Sequence, residues 1–217
     1  MSDIFREVDE EVRREQLKKL WERYGNLVIA LAVLIVAAVG GWRGYQWYQA
    51  KLAAESGAAF TTAMALSEQG KHEEAEAAFA KLVKDGTASY RILAEFREAA
   101  ELAQRDPKEA VAAYDRLADN RSLNQTLRDL ASLRAGYVLV DSAPYDEVQR
   151  RIEPLTGADR PFRHSARGLL ALAAWRANDF ATTKRWYEMI LADGETPPTT
   201  RSQTEMLMTL MAGEGKS

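Results

Sequence analysis

The sequence predicts an all-α protein, in which a single N-terminal transmembrane helix is followed by a solenoid of helical hairpins with a C-terminal capping helix. Two observations support this prediction. Residues 24–42 contain no charged side chain, and the rest of the chain repeats one apolar helical pattern every 35 to 38 residues. The segments expected are a charged helical leader at 1–23, a transmembrane helix at 24–42, a juxtamembrane segment at 43–55 and a repeat domain at 56–217.

The uncharged stretch has the length and composition of a membrane span. It runs for 19 residues from Tyr24 to Trp42, and its centre consists almost wholly of Leu, Val, Ile and Ala. At about 1.5 Å per residue, such a helix nearly crosses a hydrocarbon core of about 30 Å. Aromatic residues, which favour the headgroup level, flank it on both sides: Trp21, Tyr24, Trp42, Tyr45, Trp47 and Tyr48.

Two other interpretations of this stretch compete with a membrane anchor. A buried core helix is one, although core helices of this length usually keep a polar face. A cleaved signal peptide is the other, because small residues stand at Ala38-Val39-Gly40. However, residues 1–23 carry 13 charges of both signs, whereas the charged region of a signal peptide is short and positive. The anchor is therefore favoured.

The distribution of lysine and arginine predicts the direction of the span. Six basic residues precede it, whereas residues 43–62 contain two, Arg43 and Lys51. Because positive charge is retained in the cytoplasm, residues 1–23 are expected inside and residues 43–217 outside. In a bacterium this is a single-pass inner-membrane protein with a periplasmic C-terminal domain.

The leader is expected to be helical. It contains three acid-before-base pairs at a spacing of four, and it contains no glycine or proline. The pairs are Asp9/Arg13, Glu10/Arg14 and Glu15/Lys19. An apolar stripe is formed by Ile4, Phe5, Val8 and Val12. This helix either lies on a membrane surface, binds a partner, or covers its own anchor, and the pattern does not separate these alternatives.

Four segments of the repeat domain align on one pattern, in which a helix and a tight turn precede a second, amphipathic helix. The matched positions are Ala75, Ala110, Val148 and Thr183, at intervals of 35, 38 and 35 residues. Apolar residues follow at offsets that lie on one helical face. The interval is close to the 34-residue tetratricopeptide unit.

Packing explains which residue types occur at these positions. A small residue lets the two helices of a hairpin approach closely, and an aromatic residue four positions later, at 79, 114 and 187, fills the space between hairpins. Turn signals occur at 69–71, 105–107, 142–144 and 178–179. Gly86 and Gly194 are expected to be left-handed residues that end helices. A helix at 200–212, with Met206, Leu207, Leu210 and Met211, is expected to cap the array.

The anchor and the repeats together resemble the family of the ancillary subunit of the bacterial Sec translocon, the YfgM-like family, over about residues 20–212. The residues that carry the resemblance are Gly40-Gly41-Trp42-Arg43 with Tyr45, an Ala-rich first hairpin from Ala53, Ala166-Arg167-Gly168-Leu169, Thr196-Pro197 and Gln203-Thr204-Glu205-Met206-Leu207-Met208. The resemblance implies an N-in, C-out topology, association with the SecYEG channel and a PpiD-like periplasmic chaperone as a companion. It also implies a role in assisting newly exported chains.

No catalytic, cofactor-binding or metal-binding residue is predicted. The chain has no cysteine, and its two histidines, His72 and His164, have no partners at a ligand-like or triad-like spacing. His164 is expected in a turn or at a helix start. The net charge of −3 argues against a nucleic-acid partner. Five arginines could form a basic patch, although a solvated helix face is favoured: Arg150, Arg151, Arg160, Arg163 and Arg167.

Three classes of non-enzymatic function therefore remain open. The favoured class is a translocon-associated protein-binding module that takes no small-molecule substrate. An accessory structural subunit of another membrane complex and an envelope or cell-division scaffold are the alternatives. An array of hairpins offers a binding surface on its first helices, which we expect near Ala59, Ala135 and Leu170.

Overall fold

The computed structural model describes the backbone of residues 3–213 and the side chains of residues 14, 15 and 17–213. All regular structure in this part of the chain is helical, so the predicted fold class is confirmed. The α-helices are α1 (Asp3–Glu68), α2 (His72–Asp85), α3 (Ala88–Leu102), α4 (Pro107–Asp119), α5 (Gln125–Leu139), α6 (Tyr145–Ile152), α7 (Arg163–Arg176), α8 (Phe180–Ala192) and α9 (Pro198–Gly213). A short 3-10 helix, Glu153–Leu155, follows α6.

The described chain divides into two compact units between Ala54 and Glu55, within α1. The first unit contains the leader and the uncharged stretch, and both are helical. Glu15 and Lys19 form an exposed ion pair at 3.8 Å. The other two acid–base pairs and the apolar stripe of the leader depend on side chains outside the described residues.

The side chains of the uncharged stretch are exposed over nearly its whole length. Leu27, Leu34 and Val36 expose 64%, 64% and 70% of their surface. Within the described residues, α1 is the one helix long and apolar enough to cross a membrane. Such exposure is costly in water and suits a lipid environment, so the stretch is not a buried core helix.

The second unit is a series of helical hairpins in which each helix packs on its neighbours in the chain. The hairpins comprise the end of α1 with α2, α3 with α4, α5 with α6, and α7 with α8, and α9 follows. The buried core forms three clusters along the array, each shared by helices of neighbouring hairpins: one surrounds Phe79, the next surrounds Tyr114, and the largest surrounds Ile152, Leu169 and Ile190. Local packing of this kind is what a repeat array requires.

The matched small positions lie inside the hairpins, as the repeat pattern predicts. The four residues Ala75, Ala110, Val148 and Thr183 have no exposed surface. Each has a small, buried partner position in the first helix of its hairpin, 11 or 12 residues earlier: Ala63, Ala99, Gly136 and Ala171. In the last hairpin the contact is direct, because the Thr183 hydroxyl donates to the Ala171 carbonyl over 3.4 Å.

Gly136 marks the tightest of these crossings. A Cβ at this position would lie 2.4 Å from Ile152 Cδ1, 2.9 Å from Ile152 Cγ1 and 2.8 Å from Leu169 Cδ2. These distances are shorter than carbon atoms can approach without displacement. Helix α5 therefore contacts two neighbouring helices at once because residue 136 has no side chain.

The predicted left-handed helix ends at Gly86 and Gly194 are wrong. Gly86 is extended, with φ of −74°, and its amide donates to the Leu82 carbonyl over 2.8 Å. A Cβ there would lie 2.5 Å from the same oxygen, so glycine permits a close approach and not an unusual φ. The left-handed residues of the described chain are Gly70 (φ 75°) and Asn178 (φ 59°), in turns inside the first and last hairpins.

Helix α9 covers less of the array than the sequence predicts. Thr204 and Met211 are buried, and Met208 is partly buried against the core. By contrast, Met206, Leu207 and Leu210 expose 58%, 41% and 57% of their surface. The capping helix therefore presents an apolar face to its surroundings.

Candidate protein-binding surface

Two first helices carry a large exposed apolar side chain at the same repeat position. Tyr137 directly follows the buried Gly136 and is 46% exposed, and Leu172 directly follows the buried Ala171 and is 42% exposed. A residue one position after a fully buried one is turned by about 100° around the helix. Both side chains are therefore exposed on the side of the array that its first helices form. Their matched positions make this side of the array the candidate contact surface.

A pocket of about 490 Å³, which we call the central pocket, adjoins Tyr137. It lies between the end of α3, the start of α4 and the end of α5. The side chains that form it include Ala100, Gln104, Pro107, Tyr114, Arg134 and Tyr137. Aromatic, apolar and cationic groups thus converge on one opening, as in many ligand sites.

Tyr114 lies at the base of the central pocket and is only 3% exposed. Its hydroxyl donates to the Phe96 carbonyl over 3.4 Å, which is long for this bond. Burial raises the pKa of Tyr114, although the guanidinium groups of Arg134 and Arg97 oppose the rise. Two positive charges therefore act on Tyr114, together with the negative charge of Glu101, which adds to the rise in pKa.

A second pocket of about 230 Å³, which we call the terminal groove, adjoins Leu172. All of its side chains are apolar or aromatic: Leu172, Trp175, Tyr187, Leu207, Leu210 and Met211. The exposed face of α9 forms one of its sides. The terminal groove is suited to apolar side chains of a partner.

A third pocket of about 320 Å³, the acidic pocket, lies between α2, α3 and α4. Burial raises the pKa of Glu95, and the nearby Arg91 lowers it less. Burial likewise raises the pKa of Glu98, with added repulsion from Glu76 and Glu95. Two carboxylates therefore face this pocket beside one guanidinium group, that of Arg116, which lowers the pKa of Glu98 but does not offset the rise.

A tetratricopeptide repeat-like domain model matches residues 18–164, about two thirds of the chain. The chain belongs to this family. It is also similar to an ancillary SecYEG translocon subunit of Haemophilus influenzae, with 24% identity over 151 residues, which cover 69% of this chain and 74% of the relative. No solved structure gives a significant match. The predicted family resemblance is thereby confirmed.

Two of the three positions at which the sequence predicts a binding surface are buried in the structure. Ala59 is exposed, but Ala135 and Leu170 have no exposed surface. The exposed positions in α5 and α7 are instead Tyr137 and Leu172, each two residues later. Two residues correspond to about half a helical turn, so in α5 and α7 the exposed face lies opposite the one that the sequence predicts.

The predicted basic patch is also corrected. Arg151 pairs with Asp115 of α4, and Arg160 pairs with Asp129 of α5 at 3.1 Å. Arg151 thus links α6 to α4, and Arg160 links the loop before α7 to α5, so these two guanidinium groups are neither a free cationic surface nor a solvated face. Arg150, the exposed member, donates to a carbonyl within α6.

The last two predicted arginines lie in a compact network around Asp193. Arg163 Nε and Arg167 Nη1 donate to the Asp193 carboxylate over 2.8 and 2.9 Å. Hydrogen bonds, first from Arg163 and then from the Glu195 amide, lower the pKa of Asp193, so it stays ionised. This network joins the start of α7 to the end of α8.

His164 lies at the start of α7, as expected, but the fold brings an acidic residue towards it that the sequence did not reveal. Its Nδ1 is 3.1 Å from Thr196 Oγ1 and 3.9 Å from the Asp193 carboxylate. Burial, with Arg163 nearby, lowers the pKa of His164, so the ring is neutral at physiological pH. Asp193 is occupied by two arginines, so the arrangement is a structural contact between α7 and the loop before α9.

Proposed function

We propose that this protein is a membrane-anchored protein-binding module that works beside the Sec translocon and assists newly exported chains. The observation that carries the proposal is the pair of exposed apolar side chains, Tyr137 and Leu172, at matched positions beside the central pocket and the terminal groove. Repeat arrays bind proteins through such surfaces. The relative supports the translocon as the place of action, since it is an ancillary SecYEG translocon subunit.

The uncharged stretch serves as an uncleaved anchor in this proposal. Its exposed apolar side chains and length suit a bilayer, and the excess of basic residues before it directs residues 43–217 to the periplasm. Anchoring confines the repeat domain to the membrane surface, which raises its effective concentration near an exit site. Weak contacts with emerging chains are then sufficient for binding.

The proposed partners are the SecYEG channel, exported chains and a PpiD-like chaperone. We infer that the protein acts by binding and not by catalysis. The His164 ring, which comes nearest to a catalytic arrangement, faces a carboxylate that two arginines already hold. In this proposal residues 1–23 remain in the cytoplasm, residues 24–42 cross the membrane, and residues 56–217 form the binding domain.

Co-purification from a mild detergent tests this proposal. The full-length protein should retain SecYEG subunits, whereas a chain lacking residues 1–48 should lose them and remain folded by circular dichroism. The matched control replaces residues 24–42 with an unrelated span of equal length, which separates anchoring from specific contact. Recovery of only cell-division proteins, or only subunits of another complex, would replace the translocon with one of those functions.

Protease accessibility tests the proposed orientation separately. Protease added to spheroplasts should digest the repeat domain, and intact inside-out vesicles should protect it. The opposite pattern would place the domain in the cytoplasm and contradict a periplasmic role.

A further inference from the structure

We propose that the acidic pocket is a second contact site of the repeat domain, which takes a lysine side chain of a partner protein. The inference rests on the proposed function and adds to it a contact away from Tyr137 and Leu172. It depends on the position of the pocket, on its carboxylates and on the apolar groups beside them.

Opposite sides of α3 line the acidic pocket and the central pocket. Glu98 lines the acidic pocket, and Ala100, two residues later, lines the central pocket. Glu95 and Gln104, nine residues apart, are divided between the two pockets in the same way. At about 100° per residue, both pairs are separated by about half a turn. The rest of the acidic pocket is formed by the ends of α2 and α4, the second helices of their hairpins. A segment bound there would leave the central pocket free.

The carboxylates of the acidic pocket are partly withdrawn from water without a bonded partner. Neither Glu95 nor Glu98 makes a hydrogen bond or an ion pair among the described residues. By contrast, the neighbouring Glu76 is held by Arg105 at 3.0 Å. Burial raises the pKa of both pocket carboxylates, because it disfavours their charged forms. A cation that entered the pocket would supply the partner that burial has removed.

The charges of the lining favour one added cation. The lining contains two carboxylates, those of Glu95 and Glu98, and one guanidinium group, that of Arg116. Arg91 also lowers the pKa of Glu95, but it is exposed, lies outside the lining and donates to the Gly86 carbonyl over 3.4 Å. One positive charge from a partner would therefore balance the lining.

The apolar part of the lining favours lysine over a small cation. Five apolar side chains contribute to this pocket of about 320 Å³: Val83, Ala99, Leu102, Ala113 and Leu117. A lysine has a stem of methylene groups that packs on apolar surface and a compact ammonium with three donors. The stem would cover the apolar groups while the ammonium approached the carboxylates. A metal ion would leave those groups uncovered, and the described residues contain no cluster of three potential metal ligands.

The test uses full-length protein in nanodiscs and a short fluorescent peptide, acetylated and amidated, with one lysine among alanines. A second peptide carries norleucine in place of lysine, which keeps the apolar stem and removes the charge. Binding is followed by fluorescence anisotropy at low and high salt. Cross-linking with a carbodiimide, which joins an amine to a neighbouring carboxylate, then locates the lysine by mass spectrometry.

The variants are Glu95→Gln and Glu98→Gln, with Glu188→Gln on the exposed side of α8 as a matched control. Each pocket variant should weaken binding of the lysine peptide by up to about fivefold, and high salt should weaken it further. Neither pocket variant should lower the thermal midpoint, because each removes a carboxylate whose charged form burial disfavours. Glu188→Gln should leave the affinity unchanged, and the norleucine peptide should bind more weakly than the lysine peptide.

Equal affinity for the two peptides, or an equal effect of Glu188→Gln, would overturn the proposal. Cross-links that avoid Glu95 and Glu98 would overturn it as well. If butylamine competes as strongly as the lysine peptide itself, the pocket binds small amines and the assignment to a partner protein fails. These results do not depend on co-purification with the translocon, so a protein that binds the lysine peptide without retaining SecYEG subunits would keep this site and lose the proposed place of action.

Discussion

Replacing Gly136 with alanine should destabilise the repeat domain, although alanine is the better helix former. The new methyl group would lie 2.4 Å from Ile152 Cδ1 and within 3.0 Å of two further carbon atoms. Ile152 has no exposed surface, so it cannot move aside into solvent. Overpacking of this kind costs about 1–3 kcal/mol, and the gain in helix propensity returns about 1 kcal/mol. We expect a net loss of up to about 2 kcal/mol.

Gly168→Ala is the matched control, because Gly168 lies in the first helix of the next hairpin and a Cβ there would have no atom within 4 Å. This variant should gain up to about 1 kcal/mol from helix propensity alone. The difference between the two variants therefore isolates the packing at the α5 crossing.

Thermal melts of a fragment covering residues 49–217, followed by far-ultraviolet circular dichroism, measure the effect. For a domain of this size, 1 kcal/mol shifts the midpoint by about 2–4 °C. Gly136→Ala should therefore lower the midpoint by up to about 4–8 °C, and Gly168→Ala should raise it by up to about 2–4 °C. A midpoint for Gly136→Ala at or above that of the wild type would refute the tight crossing and the register of the hairpins.

Further substitutions test two features, the hairpin register and the Asp193 network. Ala75→Leu and Ala110→Leu should each cost about 1–3 kcal/mol in urea unfolding because both sites have no exposed surface, while Ala112→Leu on the exposed side of α4 should cost little. Asp193→Asn should destabilise the domain at neutral pH, since it leaves the buried Arg167 without its carboxylate. The lowered pKa of Asp193 means that its contribution is complete above about pH 4 and is lost as the pH falls below that value. The urea midpoints of wild type and variant should therefore converge in acid, and a constant difference would show that the carboxylate charge is not what stabilises the network.

The sequence by itself determined the helices and the residues at their centres. The small positions 75, 110, 148 and 183 are all fully buried, as their spacing predicted. Such a pattern can be read from one sequence because a helix brings residues three and four apart onto one face. The span predicted at 24–42 rests on local composition in the same way.

Only the tertiary structure decided which apolar residues stay exposed and which charges are paired. Tyr137 and Leu207 look like core residues by type, but whether a neighbouring helix covers them depends on how adjacent hairpins pack. Arg163 donates a hydrogen bond to Asp193, which lies 30 residues later in the sequence. Arg134, by contrast, makes no hydrogen bond or ion pair with a carboxylate among the described residues. Such pairings join different helices, and the helical period contains no information about distances between helices. The candidate binding surface consists of the side chains left exposed after those contacts are made, so it could not be located from the sequence.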